Sequence, residues 1–345
     1  MKEKETQQEF SCERSRRKGM VLLLCFMVAV FFVSVCVASE RDNFRFGPRD
    51  KAYGIHFIDD SRGWIVGDMG LAAMTTDGGG NWSRAAISGE EPFRDIFFVG
   101  DAGWIVGDGG LILHSDNGGK SWNKQASGVR TALLQVFFLN RDKGFTVGTD
   151  GTMLKTDNGG SSWEVFPLDW IKFLPETLIE KGVIAINLWD IFFSDESSGW
   201  IVGDNGAVLH TSDGGKQWTV SQIGFYPPLF SVFFKSKREG WAVGQNGFFL
   251  KTDDGGRSWK NVPVKTEESL YRISMSGDYG VIVGDRGAMI KTNDGGTTWS
   301  NEVVPNLHQP LPWLSDAWIL VNARSAKVFL IGKGVIAKTE ILPKK

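Results

Sequence analysis

The sequence predicts an all-β chain: a seven-bladed β-propeller of four-stranded antiparallel blades, preceded by an N-terminal hydrophobic export or anchor segment. Three observations predict it. A phrase of the form G-[WFV]-x-V-G-x-x-G begins at Gly63, Gly103, Gly144, Gly199, Gly240 and Gly280, with a worn seventh copy, VFLIGKG, at 328–334. The spacings of 40, 41, 55, 41, 40 and about 48 residues suit blades of four short strands. A short apolar run, fit for a strand buried on both faces, recurs seven times, and past residue 45 a helical period competes only weakly, in one insertion.

Residues 20–38, MVLLLCFMVAVFFVSVCVA, are apolar throughout and follow the basic RSRRKG at 14–19. As a helix this stretch would span roughly 28 Å, near the thickness of a bilayer core. The basic flank stays cytoplasmic, so the remainder is exported. The segment reads either as a cleaved signal peptide ending at Ala38 or as an uncleaved membrane anchor. Cys12, Cys25 and Cys36 all lie in or before it. The exported part therefore has no disulfide, no thiolate metal site and no cysteine nucleophile. Residues 39–51 are a linker with a candidate closing strand, and 52–345 are the propeller.

The innermost strands are the runs YGIHFI (53–58), FRDIFFV (93–99), LLQVFFL (133–139), LWDIFFS (188–194), LFSVFF (229–234), LYRISM (270–275) and AWILV (317–321). Within a unit, GFTVG is the second strand, TDG a tight hairpin, and TMLKT the third strand. The last unit stops after its third strand, and DNFRFGP at 42–48 could supply the missing one, locking first blade to last.

The third and fourth strands are joined by a box of the frame S/T-x-D/N-x-G-x-x-W. Its polar residues are Asp77, Asn117, Asn158, Asp213, Asp254 and Asp294; its tryptophans are Trp82, Trp122, Trp163, Trp218, Trp259 and Trp299. A carboxylate or amide there accepts N–H bonds from its own turn, the paired glycines reach positive φ, and the tryptophan fills space between blades. The expectation is structural: the boxes lie one per blade around a rim, not around a common ion. A second set of acids, Asp68, Asp108, Asp150, Asp204 and Asp285, sits in the hairpins between second and third strands. Turn chemistry accounts for them; a cation or ligand ring is the alternative. His114 and His210 share a slot filled elsewhere by Met74 or lysine, which is not the behaviour of a ligand position.

The formal net charge is −2, and the part beyond residue 38 carries −4. That excludes a nucleic-acid partner on charge grounds. No Gly-x-Ser-x-Gly, phosphate loop or His/Glu metal pair is present, and no metal or cofactor is expected. Two connections are longer than the rest. One contains PLDWIKFLPETLIEKGVIAIN (167–187), the other VVPNLHQPLPWLSD (303–316). Both are outer-to-inner crossovers and should emerge on the face of the hairpin acids. Exposed Trp170, Ile171, Phe173, Leu174, Pro312 and Trp313 are the candidate partner-binding residues, with packing across the channel mouth as the alternative.

The boxes resemble the Asp-box of sialidases and related propellers. A sialidase uses an arginine triad, a tyrosine nucleophile with a nearby Glu, and an early Phe/Tyr-Arg-Ile-Pro; here FRDIF at 93–97 lacks the proline. The combination GWIVGDxG…LxTxDGGxxW behind one export segment resembles the photosystem II stability/assembly factor family over about residues 45–342. The resemblance implies a non-enzymatic scaffold or assembly factor on the lumenal or periplasmic side of a membrane, holding a membrane-protein subunit, and it implies a basic patch. Arg62, Arg94, Arg130, Arg238, Arg272 and Arg286 are scattered and do not map onto one. The protein is accordingly expected to be an exported monomer with a protein partner, membrane-associated if residues 20–38 are retained. The alternative is a secreted propeller that binds or cleaves glycans.

Overall fold

The computed structural model describes residues 44–344, apart from 88, 225, 306, 323 and 324. The apolar segment at 20–38 lies outside the described residues. The propeller expectation holds: six four-stranded sheets and one three-stranded sheet, each with its strands in chain order. Blade 4 is representative, with strands Leu188–Phe193, Gly199–Gly203, Val208–Thr211 and Thr219–Gln222 running antiparallel from the axis outward.

Why the phrase G-W-x-V-G builds the second strand follows from sterics. Gly199 sits opposite Phe193, and a Cβ on it would fall inside the Phe193 ring. Gly203 closes the strand in extended backbone (φ −161), where a Cβ would strike the Asn187 carbonyl. These two glycines are therefore there for room rather than for positive φ. The hairpin that follows does use the left-handed region: Asn205 has φ 55. Met69, Asp150, Asn246 and Arg286 take the same conformation in their blades, and blade 2 uses Gly109.

Neighbouring blades are joined by the aromatic of the second strand. Trp200 is fully buried, stacks on Phe234 of blade 5 (centroids 3.5 Å, 6°) and donates its indole N–H to Gly255 O in the next box (2.9 Å). Trp64 and Trp104 donate likewise to Gly118 and Gly159. At four of these contacts, Gly79, Gly119, Gly215 and Gly296, the wedge needs the second box glycine to be bare. A Cβ on Gly119 would lie within the Trp64 ring, and one on Gly79 within Phe329 of blade 7. The first and last blades thus meet by the same contact as the others.

The expected closing strand at 42–48 is not a strand among its described residues. A turn at Pro48–Arg49 reverses the chain there, with Asp50 N donating to Gly47 O (3.0 Å) and Gly47 N to Asp50 Oδ2 (2.6 Å). Phe44 N instead donates to Trp82 O (2.9 Å), and Phe44 and Phe46 pack on the cluster holding Trp82, Phe329 and Ile331. Blade 7 keeps three strands, Leu314–Val321, Ala326–Gly332 and Val335–Ile341.

Candidate functional site: the channel mouth

All seven innermost strands carry a β-bulge at the same place. The register slips between Ala52 and Gly54, Phe93 and Asp95, Leu133 and Gln135, Leu188 and Asp190, Leu229 and Ser231, Leu270 and Arg272, and Leu314 and Asp316. A bulge leaves one residue outside the ladder and re-aims its side chain. Those residues are Tyr53, Arg94, Leu134, Trp189, Phe230, Tyr271 and Ser315. Together with Trp313 they line an open cavity of about 490 Å³ at one end of the axis.

The mouth aromatics touch one another. Tyr53 and Trp313 lie parallel (5.9 Å, 4°); Phe230 meets Trp189 edge-on at 5.5 Å and Tyr271 at 5.6 Å. Three of the hairpin acids hold mouth side chains, and a fourth, Asp68, holds the neighbouring Lys51. Asp108 accepts both Nε and a terminal nitrogen of Arg94 (2.7 and 2.8 Å), Asp68 accepts Lys51 Nζ (3.0 Å), and Asp204 accepts the Trp189 indole N–H (2.7 Å). Asp285 faces the Tyr271 hydroxyl, and burial together with that carboxylate drives the phenol well above its ordinary range. Asp150 does not belong to this ring. It stands one residue later in its turn, and Thr149 fills the slot, accepting Ala132 N (3.2 Å).

Below the mouth is a polar layer. Asp95, Asp190 and Asp316 each accept the inner-strand N–H of the next blade: Val136 (3.0 Å), Val232 (2.9 Å) and Ile55 (3.1 Å). Arg272 reaches across the channel to Asp190 (3.1 Å) and Asp316 (3.2 Å). Burial pushes the Asp95 carboxyl up to about 7, with Arg272 drawing the other way. Further down, His56, Phe97, Phe137, Phe192, Phe233 and Trp318 line a cavity of about 290 Å³, with successive centroids 4.4–5.8 Å apart. Burial lowers the His56 imidazole to about 3, so it is neutral.

The boxes form six copies of one turn, at the far end of the third strands. In blade 5 the Thr252 hydroxyl donates to Asp254 Oδ1 (2.8 Å) and accepts Gly256 N (2.9 Å), while Asp254 Oδ1 accepts Ser258 N (2.9 Å). Asp77, Asn117, Asn158, Asp213 and Asp294 repeat the pattern with Asn81, Ser121, Ser162, Gln217 and Thr298. These hydrogen bonds hold Asp77 and Asp254 down at about 2. The box tryptophans pack edge-on against the inner-strand aromatic of their own blade, as Trp82 on Phe57, Trp163 on Phe138, Trp218 on Phe193, Trp259 on Phe234 and Trp122 on Phe98. Trp299 does the same against Phe249 and the Trp241 wedge of blade 5. Among the described residues no three His, Cys, Asp or Glu side chains converge as metal ligands would.

The two insertions part company. Trp170 and Leu174 are not exposed: both are 6% accessible, packed with Phe145, Met153, Ile186 and Leu188 over blades 3 and 4. The Trp170 indole caps the hairpin at Gly151, where a Cβ would collide with it. Ile171 is exposed at 61%, Phe173 is half-buried, and the short helical turn Glu176–Ile179 follows. Pro312 and Trp313 are half-buried on the side of blades 7 and 1, with Pro312 O accepting Gly287 N (2.7 Å) and Trp313 inside the mouth. Both insertions meet the hairpin turns, as expected. Sequence reasoning missed the mouth, although the second residue of five of the inner runs, Arg94, Leu134, Trp189, Phe230 and Tyr271, was its signal. Of the scattered arginines, Arg62 pairs with Asp59 and Asp101, Arg286 with Glu268, and Arg238 lines a separate cavity with Lys237, Arg257 and His210.

The chain matches the family described as photosynthesis system II assembly factor YCF48 over residues 37–128, 174–263 and 217–339. Among solved structures, YCF48 bound to D1 peptide superposes with a TM-score of 0.64 at 17% identity, covering 87% of this chain and 96% of that one. YCF48 from Cyanidioschyzon merolae gives 0.67 at 20%, covering 84% and 95%. An ancestral GH74 enzyme gives 0.65 at 13%, covering 86% of this chain but 45% of the enzyme. At such identities the likeness is one of fold. No curated protein matches.

Proposed function

The chain belongs to the photosynthesis system II assembly factor YCF48 family, and from that premise we propose that it is a non-enzymatic, exported assembly factor that holds a segment of a membrane-protein subunit on its insertion-bearing face, at the channel mouth. The observation that carries the reading is the mouth itself: seven bulges aim seven side chains into one open cavity, and hairpin acids hold three of them, Arg94, Trp189 and Tyr271. Half-buried Trp and Tyr rings backed by fixed polar partners are the usual anchors of a protein contact. The YCF48 structure with a D1 peptide supports a peptide ligand for this fold family. Residues 20–38 carry the propeller across the inner membrane, to a periplasmic, lumenal or extracellular location, either cleaved at Ala38 or kept as an anchor. Trp313, Pro312, Ile171 and Phe173 are the sequence candidates that still offer surface; Trp170 and Leu174 support them from below.

The test is a peptide array covering the exported loops and termini of the host's membrane-complex subunits. Peptides retained by the wild-type chain should be lost with Trp189→Ala and Trp313→Ala; retention by both folded variants contradicts the mouth as the site. Deleting 167–187 is a poor test, because it strips Trp170, Leu174 and Ile186 from a core. The parallel Tyr53–Trp313 pair favours one second reading, a glycan platform, since sugar rings stack on such faces. A glycan array with a chromogenic-substrate screen separates the two; turnover abolished by a single Asp95→Asn would favour the second.

A further inference from the structure

We propose that the wall of the mouth formed by Trp189, Phe230 and Tyr271 is a cation site that receives a lysine or arginine side chain of the partner segment; this rests on the mouth being the partner site. Three observations on the page lead there. First, the wall's polar rings are backed by negative charge. The Trp189 indole N–H donates to Asp204 (2.7 Å) and the Tyr271 phenol faces the Asp285 carboxylate, and neither carboxylate is in an ion pair among the described residues. Donation to an anion enriches the ring, and the quadrupole that attracts a cation is the ring's negative face.

Second, the opposite side of the same mouth already holds that arrangement in cis. The Arg94 guanidinium stands over the Tyr53 ring, 4.9 Å from its centroid, and is gripped from behind by Asp108. Tyr53 is thus occupied by the chain's own cation, whereas Trp189, Phe230 and Tyr271 have no cation over them among the described residues. Third, the floor is anionic on balance. Asp190 and Asp316 both pair with one cation, Arg272, and beside them stands Asp95, whose carboxyl, raised to about 7, carries part of a further negative charge at neutral pH. An acidic side chain entering here would meet like charge; a basic one finds aromatic walls, a floor rich in carboxylate and room in a cavity of about 490 Å³.

The experiment uses the full chain in detergent and three acetylated, amidated octapeptides identical except for a central Arg, Leu or Glu, titrated by calorimetry. The Arg peptide should bind at least about tenfold tighter than the Glu peptide. Trp189→Leu should cut that preference roughly three- to tenfold. Tyr271→Phe and Asp204→Asn keep ring and volume, so they should shrink the preference by a smaller factor while the melting temperature stays within a few degrees. Leu or Glu peptides binding as tightly as Arg, no measurable Arg binding, or an Arg preference untouched in a folded Trp189→Leu would each overturn the proposal. Should all three peptides bind alike and all weaken with Trp313→Ala, the mouth remains the partner site and only the cation claim falls.

Discussion

At the scale of single residues the chain separates side chains that make the fold from those that face outward. Thr252 is 1% exposed, and its hydroxyl serves both Asp254 and the buried Gly256 N–H. Thr252→Val keeps the shape and orphans that N–H, so it should cost about 1–3 kcal/mol, read as a lower urea midpoint with unchanged slope. Two buried groups titrate with opposite sign. Asp95 has a folded value raised from 3.8 to about 7, so it favours folding below pH 4 and that contribution is lost as pH rises to 7. His56 has a folded value lowered from 6.5 to about 3, so its neutral form favours folding above 6.5 and is lost as pH falls towards 3. Between pH 4 and 7 the two offset each other. Asp95→Asn should therefore leave a chain that weakens more steeply on acidification. His56→Phe should leave one that weakens towards pH 7, each by on the order of 1 kcal/mol or more. Melting temperatures of both variants at pH 4.5 and 7 check this; equal slopes in the two would contradict it. The box carboxylates add their own loss below pH 4, since Asp77 and Asp254 sit near 2 when folded. These box roles could be read from the sequence because the bonds that shape the turn, from Thr252 and Asp254 to Gly256 and Ser258, are local to it. The partners of Asp95 and His56 lie on other blades, so no stretch of text reveals them.

At the scale of elements, strand count, hairpins and boxes are legible because each rests on a short-range pattern that repeats. The mouth was not. A bulge depends on how two strands pair, and it lifts Tyr53, Arg94 and Trp189 out of the alternation that would otherwise assign their faces. The insertion at 167–187 misled for a related reason. Irregular text suggested exposure, but the open hairpin at Gly151 offers a seat for Trp170. Two predictions belong here. Met69 is held at φ 52 and is 75% exposed, so its side chain contributes strain and little packing. Met69→Asn should raise stability by about 0.5–1 kcal/mol, because Asn tolerates the left-handed region. Trp200→Ala removes a fully buried wedge and its bond to Gly255, at a cost of about 3–5 kcal/mol. Chemical denaturation measures both.

At the scale of the whole molecule, the ring closes without a shared sheet. Asp316 accepts Ile55 N, the Ser315 hydroxyl donates to Ala52 O (2.7 Å), the backbones of Lys51 and Lys333 form a lone antiparallel β-bridge, and Phe329 seats on Gly79. Seven repeats made the closure foreseeable; that side chains would replace the expected strand was not, since those contacts span some 260 positions. Cleavage at Ala38 predicts a mature protein beginning at Ser39, whereas an anchor predicts the intact N-terminus in the membrane fraction; N-terminal sequencing of the protein from each cell fraction decides. The central claim is that the repeated turns build the wheel and the bulged mouth does its work. Melting temperature and peptide capture, measured side by side for Thr252→Val and Trp189→Ala, test it most directly. The account predicts that the box variant loses stability but captures peptide normally while folded, and that the mouth variant keeps its melting temperature within a few degrees and loses capture. A fully stable box variant that no longer captures peptide, beside a mouth variant that still does, would contradict it.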